Sequence, residues 1–192
     1  SEKYKEISNV NININTLIRN IAYLKYGSKC DVYVKIVDTA LDSPEDEALF
    51  YELFGDACNS MSVEHTSPIY PGVDLNSELE DREFTQFGLP VGQNSACSQA
   101  FYSMQINPDG NVVPCYSIVY PEIMGNVKTQ TVQDIWNGEE YKQFRLRMLS
   151  GNKCQVCREC NINRYRAFPE DDITSASEEL LEKYSNGKVQ NM

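Results

Sequence analysis

Apolar residues Ile12, Ile14, Leu17, Ile18, Ile21 and Leu24 recur at spacings that suit a helix with one buried face. Asp31 to Val37 is β-branched and aromatic, which predicts a strand. Ser43-Pro44-Glu45-Asp46 then predicts a helix start. It offers a serine for the cap, a proline for the first turn and carboxylates for the positive end of the helix dipole. That helix is expected to turn Leu49, Phe50, Leu53 and Phe54 toward a core and to stop at Gly55. Met61 to Val63 predicts another short strand. Helix–strand–helix–strand implies parallel strands in an α/β layer. Two strands are too few for a complete barrel or doubly wound sheet, so residues 1–67 read as the tail of something longer.

The pattern changes after residue 67. Residues 68–96 hold prolines, glycines and acidic residues with little periodicity, and read as a linker or a loop wrapping the next unit. Phe101 to Ile106 and Asn111 to Tyr116 flank Asn107-Pro108-Asp109-Gly110, a hairpin turn with proline at the first turn position and glycine where positive φ is needed. Thr131-Val-Gln-Asp134 resembles a capping box, followed by Val132, Ile135 and Trp136 at helical spacing. Tyr141, Phe144, Met148 and Leu149 continue an apolar face across Asn137-Gly138, so two short helices are expected, the second closed by Gly151. The tail, 169–192, has a further helix start at Ser175-Ala-Ser-Glu178 and frays at Asn186-Gly187.

Composition narrows the field. A net charge of −11 speaks against nucleic acid or an anionic membrane surface as partner. No apolar run approaches the roughly 20 residues a membrane span needs, and no basic–apolar leader opens the chain. Seven cysteines, an odd number, with a tight C-x-x-C-x-x-C among them, argue against a secreted disulfide framework and for a reducing cytoplasm. The chain begins Ser1-Glu-Lys, as a processed terminus or a piece cut from a larger protein would.

Five of those cysteines fall in one pattern: Cys97, Cys115, then Cys154-Gln-Val-Cys157-Arg-Glu-Cys160. Folding back at Gly110 brings Cys115 toward Cys97, and the last three follow a helical run. Thiolates converging from two distant stretches are how a chain holds a metal centre, and an all-thiolate site selects zinc or an iron–sulfur cluster. Zinc sites commonly use two C-x-x-C knuckles. Here one knuckle exists, but seventeen residues separate Cys97 from Cys115. Spacing alone leaves cluster and zinc both open.

The residues around the cysteines carry a resemblance. Cys97, the Gly110-Asn-Val-Val-Pro-Cys115 hairpin, Met124-Gly125-Asn126-Val127, Val132-Gln-Asp-Ile-Trp-Asn137, Tyr141-Lys-Gln-Phe-Arg145 and Cys157-x-x-Cys160 occur in the order of the SPASM/twitch domain of radical S-adenosylmethionine enzymes. The resemblance covers about residues 97–160, and residues 1–67 look, more weakly, like the last β/α units of those enzymes' barrel. It implies an α/β fold: the C-terminal part of a partial parallel β/α (TIM-like) barrel (1–67), a linker (68–96), a small α+β SPASM/twitch domain of hairpin and helices (97–168), and a helical tail (169–192).

By the same resemblance Cys97, Cys115, Cys157 and Cys160 ligate one auxiliary [4Fe–4S] cluster, with zinc able to fill the thiols of aerobically prepared protein. Full SPASM domains carry two clusters, and no cysteine follows Cys160, so a one-cluster, twitch-like version is expected. Cys154 departs from the pattern and could replace Cys157 or Cys160, or be a bystander. Gly110 has a turn role, Trp136 and Phe144 packing roles. The C-x3-C-x2-C loop that binds S-adenosylmethionine and its own [4Fe–4S] cluster is missing: Cys30 and Cys58 stand alone. The parent protein would cleave S-adenosylmethionine to a 5′-deoxyadenosyl radical and modify a peptide or a small sugar- or cyclitol-like substrate. It would draw electrons from a donor such as ferredoxin or flavodoxin. Four cysteine ligands leave no open iron, which favours electron transfer over substrate ligation. The competing expectations are a non-catalytic zinc-binding interaction module and a stand-alone domain lending its cluster to a partner.

Catalytic residues stay unassigned. Cys30 and Cys58 read as small buried hydrophobes. His65, the single histidine, follows a strand where barrel enzymes place functional side chains, but base rates favour a structural or solvent-facing role. Lys35, Asp38 and Glu64 sit on or beside the same strands without a face assigned to them.

Overall fold

In the computed structural model, which describes residues 2–67, 83–92 and 94–186, the N-terminal alternation becomes helices around a parallel strand pair. α1 (Glu2–Ser8) and α2 (Ile14–Gly27) come first, and Asn13 caps α2 by accepting the Thr16 N–H. β1 (Tyr33–Val37) leads through a 3₁₀ turn into α3 (Pro44–Phe54), which returns the chain to β2 (Ser60–Glu64). The strands pair in parallel, Tyr33 opposite Ser60 and Val37 opposite Glu64. Ser43 caps α3 as expected: its Oγ accepts the Asp46 N–H at 3.3 Å.

The apolar faces of these helices depart from expectation. On α3 Phe50 and Phe54 are buried, but Leu49 and Leu53 are 49% and 39% exposed. Two strands offer a narrow surface, and the i, i+4 pair of phenylalanines fills it. The leucines lie about 100° round the helix and face away. No residue of α2 is fully buried either, and Leu24 is half exposed. Of the single cysteines, Cys58 is buried with its thiol on the Phe54 carbonyl, whereas Cys30 is exposed.

By contact density the chain divides into two units, Ser1–Thr66 with Gln86–Gly88, and Ser67–Thr85 with Leu89–Met192. Much of the stretch expected as a linker, 68–82 and residue 93, lies outside the described residues, as does the expected fraying from Gly187 on.

The second unit is built on the hairpin. α4 (Gln99–Tyr102) precedes β3 (Gln105–Ile106), and β4 (Asn111–Val113) pairs antiparallel with both β3 and β5 (Gly125–Asn126). The strand expected over Phe101–Ile106 is therefore a helical turn followed by two strand residues. Its partner stops at Val113 because Pro114 has no N–H to continue a ladder. Gly110 takes φ +86° at the turn, and its N–H donates to the Asn107 carbonyl at 2.8 Å. The two predicted helices follow as α5 (Val132–Trp136), capped by Thr131, and α6 (Glu139–Leu149), closed by Gly151 at φ +76°.

Then come α7 (Gln155–Arg158), α8 (Ile162–Tyr165) and α9 (Ser177–Ser185). The core gathers Val112, Met124, Ile135, Tyr141, Phe144 and Met148, with Leu180, Leu181 and Tyr184 of α9 packed against it. Arg145 threads this core at 4% exposure. Its Nε donates to the Ala100 carbonyl, its Nη1 to the Trp136 carbonyl, and its guanidinium lies 4.2 Å from the Trp136 ring centre.

Candidate metal centre

Each cysteine of the pattern sits where the chain reverses or changes element. Cys97 lies just before α4, Cys115 just past the Pro114 that ends β4, Cys157 within α7 and Cys160 after it. The hairpin and the short α7 thereby bring thiols from two distant stretches around one cavity of about 480 Å³. Cys97, Cys115, Cys157 and Cys160 all line it, together with Gln99 and Lys153. Cys154 does not. It occupies the N-cap position of α7 and makes a side-chain hydrogen bond with Cys157.

The thiols sense one another's charge. Cys97 interacts with Cys115 and Cys160, and Cys157 with Cys154, Cys115 and Cys97. Burial dominates their titration. It pushes the Cys97 thiol up to about 12, against an opposing hydrogen bond from the Gln99 backbone N–H and the nearby Lys153 charge. Burial likewise raises Cys115, opposed by hydrogen bonding with Ser117, whose backbone N–H donates to the sulfur and whose Oγ, its proton given to the Val119 carbonyl, lies 3.2 Å from Sγ. Cys157 is raised by burial and by the Cys154 hydrogen bond. Such burial keeps these groups as neutral thiols unless a cation is set among them.

Zinc holds its sulfurs at about 2.3 Å, which sets them roughly 3.8 Å apart in a tetrahedron. Among the described residues no three His, Cys, Asp or Glu side chains converge tightly enough for a single metal ion. The four thiols instead surround a volume. An all-thiolate lining is the chemistry that both zinc and iron–sulfur clusters take.

The comparison with known families bears directly on this stretch. The SPASM iron–sulfur cluster-binding domain family matches residues 97–161. This stretch, about a third of the chain, is similar to that domain family. Its match opens on Cys97 and closes one residue past Cys160, and it takes in the whole cavity wall that bears thiols. An S-adenosyl-L-methionine-dependent 2-deoxy-scyllo-inosamine dehydrogenase of Niallia circulans is similar to the chain, 34% identical over 55 residues. The alignment covers 27% of this chain and 22% of that enzyme's length. No solved structure matches. Among the described residues no helix is long and apolar enough to cross a membrane.

Around the SPASM thiols, sequence reasoning missed Gln99 and Ser117. Each lies two residues past a cysteine, a spacing that lets a backbone N–H turn back onto the preceding sulfur. In the other unit, His65 is oriented by Asp38: Nδ1 stands 3.1 Å from Oδ2, while Oδ1 accepts from the Thr66 N–H and hydroxyl and the Thr39 N–H. Lys35 pairs with the buried Glu64 at 2.8 Å.

Proposed function

We propose that the chain is the C-terminal part of a radical S-adenosylmethionine enzyme whose twitch-like SPASM domain holds one auxiliary [4Fe–4S] cluster through Cys97, Cys115, Cys157 and Cys160. The observation that carries the reading is the single cavity lined by those four thiols, with Cys154 outside it. Gln99 and Ser117 add donors to two of the sulfurs, the environment in which a cluster's charge is stabilised. When bound, the cluster supplies a one-electron acceptor. With every iron held by a cysteine, this chain's contribution is to fix the centre, exclude water from it and set its potential, leaving substrate ligation to other groups.

The N-terminal unit is, on this proposal, the closing β/α repeat of a partial barrel. Its parallel strand pair and the exposed leucines of α2 and α3 are what further repeats would cover. S-adenosylmethionine and its cluster would be bound by parts of the barrel beyond this chain. The Niallia circulans relative is named for oxidising an aminocyclitol, which favours a small polyhydroxylated substrate over a peptide. Such an oxidation removes a hydrogen atom, a proton and an electron, and the last is the share an auxiliary centre takes. Reducing equivalents from a ferredoxin- or flavodoxin-like donor and a cytoplasmic setting complete the proposal.

Anaerobic loading tests it. The chain given iron and sulfide is expected to turn brown, with broad absorbance near 400 nm and about four irons per chain. Replacing any of Cys97, Cys115, Cys157 or Cys160 by alanine is expected to cost most of that iron, whereas Cys154→Ala keeps it. A colourless chain binding one zinc under the same conditions would make it a zinc module instead.

A further inference from the structure

Gln99 has an unfinished hydrogen-bond inventory. Its side chain is 93% buried in the wall of the thiol cavity. One end of the amide, Nε2, stands 2.5 Å from the Tyr102 hydroxyl and 3.4 Å from the Tyr116 hydroxyl. The other end, Oε1, is buried and meets no partner. An orphaned carbonyl oxygen costs about 1–3 kcal/mol. A half-turn about the last side-chain bond exchanges the two ends. The oxygen then accepts from two phenol hydroxyls, which are natural donors, and the NH₂ occupies the orphaned position. What it needs there is an acceptor, and sulfur is the acceptor this cavity offers.

We propose that the Gln99 side-chain amide, held by Tyr102 and Tyr116, donates an N–H to a sulfur of the centre bound by Cys97, Cys115, Cys157 and Cys160, and thereby raises its reduction potential. The inference rests on the cluster reading above. It assigns Gln99 two separate contacts, the backbone N–H to Cys97 and the amide N–H into the cavity. Reduction adds negative charge to the sulfurs, so a donor aimed at them stabilises the reduced form more than the oxidised one. Tyr102 and Tyr116 act at one remove, by deciding which end of the amide faces the sulfurs.

The test is a redox titration of the anaerobically loaded full chain, with iron and sulfide analysis of each sample. Gln99→Met, similar in length and without a donor, is expected to retain the iron. At a fixed poise its reduced-to-oxidised ratio should fall about fivefold, the change one hydrogen bond of ordinary net strength supplies. Gln99→Glu, which keeps the acceptor for the tyrosines, is expected to fall further. The Tyr102→Phe/Tyr116→Phe double variant, with Gln99 intact, is expected to move the ratio the same way as Gln99→Met. Unchanged potentials in iron-replete variants overturn the inference and leave the cluster reading standing. Loss of iron in all the variants also overturns it, in favour of a packing role. A wild-type chain that takes up no iron overturns both, and the iron analysis reveals that before any potential is measured.

Discussion

Arg145 is a buried cation that makes no ion pair among the described residues, and its Nη2 has no hydrogen-bond partner. Burial pulls its pKa below the usual guanidinium value, with Tyr184 and Tyr141 opposing. Two backbone carbonyls and the Trp136 ring hold it in place of a carboxylate. Truncating it leaves both carbonyls without donors and a gap against the indole, so Arg145→Ala is expected to cost about 3 kcal/mol. Arg145→Lys should recover little, because an ammonium cannot both lie flat on the ring and reach two carbonyls. Urea denaturation of the metal-free chain measures both. Residue by residue, the spacing and flanks of the cysteines singled out Cys97, Cys115, Cys157 and Cys160, which line one cavity. Gln99 and Ser117 carried no such mark. Their part in the site comes from backbone N–H groups and from burial, which no residue type announces.

Among the elements, the hairpin turn was legible because its chemistry is local: Asn107-Pro108-Asp109-Gly110 specifies a turn whatever surrounds it. The helix starts at Ser43 and Thr131 were legible for the same reason. Strand lengths and buried faces were not, since they depend on what packs alongside. β5 has only two residues and no period to read, and α3 turned a different pair of side chains inward than its four apolar residues suggested. The turn yields a graded prediction. A methyl at Gly110 would be forced into positive φ and also meet Asn126 Oδ1 at 2.9 Å, whereas one at Gly151 would have positive φ but nothing within 4 Å. Gly110→Ala is therefore expected to cost about 2–3 kcal/mol and Gly151→Ala about 1 kcal/mol, read as the difference between their thermal melting points. Equal losses would mean that the Asn126 side chain yields freely.

For the molecule as a whole, the raised thiols of Cys97, Cys115 and Cys157 make stability depend on pH. A thiol pKa higher in the folded than in the unfolded chain means that folding favours the protonated form. Without metal, that contribution is full below the unfolded value, about 8.5. It is lost as pH rises through the folded values, about 12 for Cys97. Tyr141, also pushed up to about 12 by burial, acts in the same direction. The metal-free chain, kept reduced, is expected to show a lower urea midpoint at pH 10.5 than at pH 7.5. Metal loading exchanges those protons for cations, so it should release protons and proceed faster at the higher pH.

One geometric fact from the fold carries a mechanical sequel. The thiols at the two ends of the SPASM match, Cys97 and Cys160, line one cavity although the hairpin, α5, α6 and the short turns between them separate the two in sequence. An inorganic knot at that point would act as a rivet through a long loop, removing more freedom from the unfolded chain than a short-range knuckle does. Stripping it with a chelator should then let proteases nick the loop at sites the loaded form conceals.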